Sequence, residues 1–240
     1  MIQSKIHHWP HVFMLGVILF GTSAWAEPQA AKVAQMELGE LAKQLEVGDV
    51  VFIRIPMQPF TKVADATSSW TNHVGIVSDV SGKEPVISES RVPVSGETSW
   101  SKFVQRSDKG RVAVTRLPVP LDAQQQRKLQ KSVAAKRGIL YDTGFDLSSK
   151  KQFCSRYVRE VVDEATGVQL GEVEDFSTLL KRNPQADQEF WKVWYFGNIP
   201  WQRKTVTPAS LLQDGRMRVV FDGNAVMPNQ QKAIKGEFAK

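Results

Sequence analysis

Hydrophobic positions along this chain alternate between two periods, and the switches mark its elements. Val50-Val51-Phe52-Ile53-Arg54-Ile55 follows the turn-forming pair Gly48-Asp49 and reads as a strand. Pro56 and Pro59 end it and open a long loop to about Asn72. His73 to Val80 is a second strand, Ser81-Gly82-Lys83 its turn, and Pro85 to Glu89 a short third strand paired back on the second. Arg111 to Leu117 alternates Val112 and Val114 with polar neighbours and gives a fourth.

The period then changes. Asp122 caps a helix from Ala123 to about Arg137, stopped by Gly138. A second helix starts at Cys154, carries the apolar stripe Tyr157, Val158, Val161, Val162 and Ala165, and ends at Gly167. Thr207-Pro208 is a further helix start, with hydroxyl cap and proline at the first position. Arg216 to Asp222 is a last strand. Strands and helices in separate runs predict an α+β domain.

The ends differ from this middle. Lys5, the apolar run Val12 to Phe20 and Ala24-Trp25-Ala26 describe a signal peptide over residues 1–26, cleaved after Ala26. The run is about half the ~20 residues that span a bilayer. The protein is therefore expected to be exported, periplasmic or secreted. Residues 27–45 are rich in Ala, Gln, Glu and Leu and read as an N-terminal helical segment. The catalytic domain is expected over 46–222, and 223–240 read as a flexible polar tail.

The formal net charge is +6, with the basic residues scattered along the chain. The mild excess between Arg127 and Arg137 is a solvated helix face, and no nucleic-acid footprint is present. Contact with an anionic envelope surface or cell wall is compatible with the charge, which does not establish it. Oligomeric state is not legible.

Candidate chemistry narrows sharply once the leader is set aside. His7, His8 and His11 leave with it, so Cys154 and His73 are the only cysteine and histidine that remain. A lone thiol in an oxidising compartment is either buried or used. Cys154 sits where its helix begins, where free N–H groups and the macrodipole favour a thiolate. A core cysteine would be expected in mid-helix. Any thiol–imidazole chemistry must use this pair. One Cys and one His fall short of a tetrahedral zinc set, and no phosphate-cradling glycine loop occurs, so no cofactor is expected.

The order Gly48-Asp49-Val50-Val51-Phe52, His73-Val74-Gly75-Ile76-Val77, Val86-Ile87-Ser88-Glu89-Ser90 and Phe153-Cys154-Ser155 resembles the circularly permuted papain-like amidases. The likeness is to the YiiX-like branch of the NlpC-type superfamily, and it extends over roughly Leu45 to Asp222. The histidine precedes the cysteine, which is the permuted order. The resemblance implies an antiparallel sheet or small barrel packed against the cysteine helix. It implies Cys154 as nucleophile, His73 as general base and Glu89 as the group that holds the imidazole. Ser88 stands where a bulkier apolar residue is common. An exposed strand carboxylate is the alternative for Glu89, with Asp79 and Glu97 as substitutes. Tyr141 is similar to the tyrosine such enzymes place before their cysteine, as a second oxyanion donor beside the Cys154 N–H; a tyrosine packed under its loop is equally compatible.

Phe190, Trp191, Trp194, Tyr195, Phe196 and Trp201 either fill a core or wall a ligand cleft. Trp70, in the long loop near His73, is the expected substrate-binding rim. The favoured function is a secreted cysteine hydrolase cleaving a peptide amide, such as a peptidoglycan stem peptide, through a thioester acyl-enzyme. The same triad would serve a lipid-directed acyltransferase, thioesterase or N-acyl amide hydrolase. A catalytically idle envelope binding protein is the alternative of another class.

Overall fold

The structure is a computed structural model, described here over residues 33–227. The leader and most of the tail lie outside the described residues.

The sheet has seven strands: β1 (Ala34–Glu37), β2 (Val50–Ile53), β3 (His73–Asp79), β4 (Val86–Glu89), β5 (Gly96–Ser99), β6 (Arg111–Arg116) and β9 (Arg218–Val226). Their order is β1-β9-β6-β2-β3-β4-β5, antiparallel throughout except for the parallel β1–β9 pair. Strands β7 (Glu174–Asp175) and β8 (Lys204–Thr205) form a separate ribbon. The helices are α1 (Leu38–Ala42), α2 (Phe60–Ala66), α3 (Trp100–Gln105), α4 (Ala123–Lys136), α5 (Cys154–Thr166), α6 (Phe176–Arg182), α7 (Gln188–Trp194) and α8 (Pro208–Leu212).

Strand alternation sorts the core into two layers. Val50 and Phe52 of β2 and Val74 and Ile76 of β3 meet the α5 stripe of Tyr157, Val158, Val161 and Val162 on one face. Val51, Ile53, Val77 and Ile87 meet Trp100, Phe103 and Leu41 on the other. The central strands are apolar at successive positions because both faces are covered. Gly75 is required by close approach: a Cβ there would lie 2.5 Å from Ile87 Cγ2 and 3.0 Å from Phe103 Cε2. Gly167 takes φ 79° and closes α5, as its position predicts.

Several elements depart from the sequence reading. The segment read as helical up to residue 45 contains β1 before the short α1. The loop from Pro56 to Asn72 holds α2. Strand β9 runs on to Val226, so residues 223–226 belong to the sheet and not to a tail. No element was expected between Glu89 and Arg111, where β5 and α3 lie. Asp49, part of the first motif, is structural: its carboxylate accepts from Arg116 Nε at 2.5 Å and Nη2 at 2.7 Å, and from the Glu46 N–H.

Candidate active site

Cys154 is the first residue of α5, and Phe153 before it is extended and offers no side-chain cap. Helices α4, α6, α7 and α8 each have an Asp or Thr side chain accepting from their first turn. At α5 the first N–H groups are left to an anion instead, here the sulfur or a developing oxyanion.

His73 opens β3 in register with Ile53 of β2. Its ring is wedged between Phe60 and Phe103, at centroid distances of 6.0 and 5.8 Å. Imidazole Nε2 lies 2.5 Å from Glu89 Oε2 at the end of β4. The ring therefore turns Nε2 to the carboxylate, its Nδ1 is buried without a hydrogen-bond partner, and the nearby Cys154 sulfur favours its protonated form. His73 and Glu89 are both fully buried.

A buried carboxylate needs several donors, and Glu89 has them. Thr98 Oγ1 donates to Oε1 at 2.6 Å, and Arg106 Nη2 reaches both oxygens at 2.8 Å. Burial pushes the Glu89 carboxyl up, but His73 and Arg106 outweigh it and hold the pKa down at about 2. Burial likewise lowers His73, while the thiol and Glu89 raise it to about 9. For Cys154, burial is opposed by His73, the Tyr141 hydroxyl and the Val74 N–H, and the net shift is downward. The directions favour a thiolate and an imidazolium beside an ionised Glu89.

Tyr141 is brought to the site by local pairing. Residues Tyr141 and Gln152 form a parallel bridge, with Gln152 N–H on the Leu140 carbonyl and Asp142 N–H on the Gln152 carbonyl. This sets the buried tyrosine next to Cys154, and both line the same pocket. Burial and the neighbouring sulfur raise its pKa well above the usual phenol value, so it is a proton donor throughout the neutral range.

A narrow pocket, with a cavity volume of about 40 Å³, opens beside the sulfur. Cys154, Tyr141 and Phe153 form its floor; Phe60 and Val63 of α2, Leu179 and Leu180 of α6 and Trp191 of α7 form its walls. Trp70 is not among the lining residues. It packs under the Arg111 guanidinium, 4.0 Å from the ring centroid, and its carbonyl accepts from Arg54. Within the loop, α2 supplies Phe60 and Val63 to the pocket wall. The aromatic run divides in the same way: Trp191 lines the pocket, Phe190, Trp194 and Tyr195 pack into a satellite core, and Phe196 is exposed.

Of the substitutes for Glu89, Asp79 accepts from its own turn at Ser81 and Glu97 pairs with Arg137. Arg106 and Thr98 escaped the sequence reading. The available signal was Trp100, Phe103 and Val104 at helical spacing just before Arg106. Among the described residues no cluster of three or more His, Cys, Asp or Glu side chains is arranged to hold a metal ion.

A thiol at an uncapped helix start, facing an imidazole held by an acid from the neighbouring strand, is the arrangement of a papain-like cysteine hydrolase. The comparisons agree. The family model described as "Permuted papain-like amidase enzyme, YaeF/YiiX, C92 family" matches residues 44–221, and the chain belongs to that family. It is 27% identical over 179 residues to "Uncharacterized protein YiiX" of Escherichia coli (strain K12), covering 75% of this chain and 87% of that protein. A crystal structure described as metalloprotein YiiX from Escherichia coli O157:H7 superposes with a TM-score of 0.68 at 27% identity, covering 75% of this chain and 98% of that one. Family and fold are thus those the motifs imply: a mixed α+β, permuted papain-like domain.

Proposed function

We propose that this protein is a cysteine amidase that hydrolyses an amide bond through a thioester on Cys154. The observation that carries the reading is the row Cys154–His73–Glu89, with the sulfur at the first residue of α5. The thiolate attacks the amide carbonyl carbon. The oxyanion so formed lies where the Cys154 N–H and the Tyr141 hydroxyl converge. The His73 imidazolium gives its proton to the departing amine as the C–N bond breaks. Neutral His73 then takes a proton from water, whose oxygen attacks the thioester, and the Cys154 thiolate leaves. Glu89 keeps the ring oriented and stabilises its cation. The leader expected over residues 1–26 supports placing this reaction outside the cytoplasm.

The test is intact-protein mass after rapid acid quench with activated anilides. The reading expects an acyl adduct on Cys154, absent in Cys154→Ala together with turnover. Turnover that survives Cys154→Ala would contradict it.

A further inference from the structure

A second groove lies over β5 and α3 and shares no residue with the pocket beside the sulfur. Arg91, Lys102 and Arg106 line it, together with Thr98, Ser99 and Glu97. Two of the cations reach back to the buried acid. Arg106 Nη2 holds both Glu89 oxygens at 2.8 Å, and Arg91 Nε stands 3.7 Å from Oε1, beyond hydrogen-bond range.

The charges around this groove do not cancel. Thiolate, imidazolium, Glu89 and Arg106 form a neutral set of four. Glu97 is paired with Arg137. Glu84 is within charge reach of Lys102, but it accepts from the Ser101 N–H at 2.9 Å and does not line the groove. Arg91 and Lys102 remain, two positive charges with no hydrogen-bonded acid among the described residues. Donors are left over as well. Arg106 Nε is buried without a hydrogen-bond partner, a cost that an acceptor in the groove would relieve. Lys102 and Arg106 stand four residues apart in α3 and at its cap, where like charges repel. The Arg91 fork lies against β5, since a Cβ on Gly96 would come 3.6 Å from its Nη2.

We propose that this groove binds a phosphomonoester dianion, which shares Arg106 with Glu89 and is thereby coupled to the acid that holds His73. Two uncommitted cations match the charge of about −1.5 to −2 that such a group carries at neutral pH. Its three terminal oxygens can meet two guanidinium forks and an ammonium, whereas a carboxylate is satisfied by one fork. The group has two possible sources with the same chemistry, a soluble phosphate or the headgroup of phosphatidate in a lipid surface. The site stands whether or not Cys154 hydrolyses an amide.

The test is calorimetric titration of the whole protein with inorganic phosphate at fixed ionic strength, with acetate in parallel. Phosphate should bind at one site per chain, and acetate about tenfold more weakly. Lys102→Gln and Arg91→Gln should each weaken phosphate by about tenfold or more. Lys128→Gln, at an exposed position of α4 outside the groove, should not. Glu89→Gln removes a like charge and releases Arg106, so phosphate should bind severalfold tighter. Failure to bind, equal affinity in the groove variants and Lys128→Gln, or acetate as tight as phosphate overturns the site. Unchanged affinity in Glu89→Gln overturns the coupling. Sedimentation with phosphatidylcholine vesicles, with and without phosphatidate, separates the sources. Capture that requires phosphatidate and is lost in Lys102→Gln supports the site with a lipid headgroup as its ligand. Phosphate binding without capture supports it with a soluble one.

Discussion

The two walls of the site are built in opposite ways. The polar wall, His73, Glu89, Thr98 and Arg106, stands on adjacent strands and one short helix, and each oxygen of the Glu89 carboxylate has two partners. The apolar wall, from α2, α6, α7 and Phe153, is shaped by side-chain packing with few hydrogen bonds directed into the pocket. A charge held in a buried site must be over-determined, because an unpaired one costs several kcal/mol. A binding wall needs only shape and dryness. Damage to the first should therefore appear in kcat, and damage to the second in KM.

The largest effect is expected from Glu89→Gln. It removes the charge that stabilises the imidazolium and faces Arg106 with a neutral amide, so kcat should fall by about 10²- to 10⁴-fold with KM little changed. The same variant tests a linkage. Glu89 titrates at about 2 in the folded protein against an ordinary 4.5, so its contribution is complete above about 4.5 and is lost as pH falls toward 2. At roughly 1.4 kcal/mol per pKa unit, about 3 kcal/mol is at stake. Urea unfolding between those pH values should show this loss in wild type and a smaller one in Glu89→Gln.

Arg106→Gln should lower kcat by about tenfold, with Arg106→Lys retaining more because a point charge replaces the two contacts only in part. A variant that left kcat untouched would remove Arg106 from the polar wall. In the apolar wall, Leu180→Ala should raise KM severalfold at nearly constant kcat. It should also cost about 2–5 kcal/mol of stability, as buried leucine truncations do. A fall in kcat alone would break the division between the walls. Thr98→Val should be the mildest change: one of several hydrogen bonds to the Glu89 carboxylate is lost, about 1.5–3 kcal/mol of stability, and kcat should drop only a few-fold.

The same division explains what was legible in the sequence. Cys154 and His73 could be picked out because each type occurs once after residue 26 and each starts an element. Glu89 was implied by the resemblance to the family and supported by the tight turn between β3 and β4, a local relation. Arg106 and Thr98 did not, because what makes them matter is the approach of β5 and α3 to Glu89, which no short-range pattern announces. The apolar wall was hidden for a related reason. Phe60, Leu180 and Trp191 come from segments that meet only after folding, and short helices such as α6 and α7 give few periods to read. Ala34–Glu37 has helix-forming residues, yet it becomes β1 by pairing with the distant Gly223–Val226. There tertiary pairing outweighs local preference.

The measurement closest to the central claim is the rate of Cys154 alkylation by iodoacetamide against pH, in wild type and His73→Ala, with a denatured control for thiol integrity. The account predicts labelling that stays fast well below the ~8.5 of a free thiol and moves up toward that value in the mutant. Slow labelling that rises only near ~8.5 and is indifferent to His73 would contradict the activated thiolate, and with it the hydrolase.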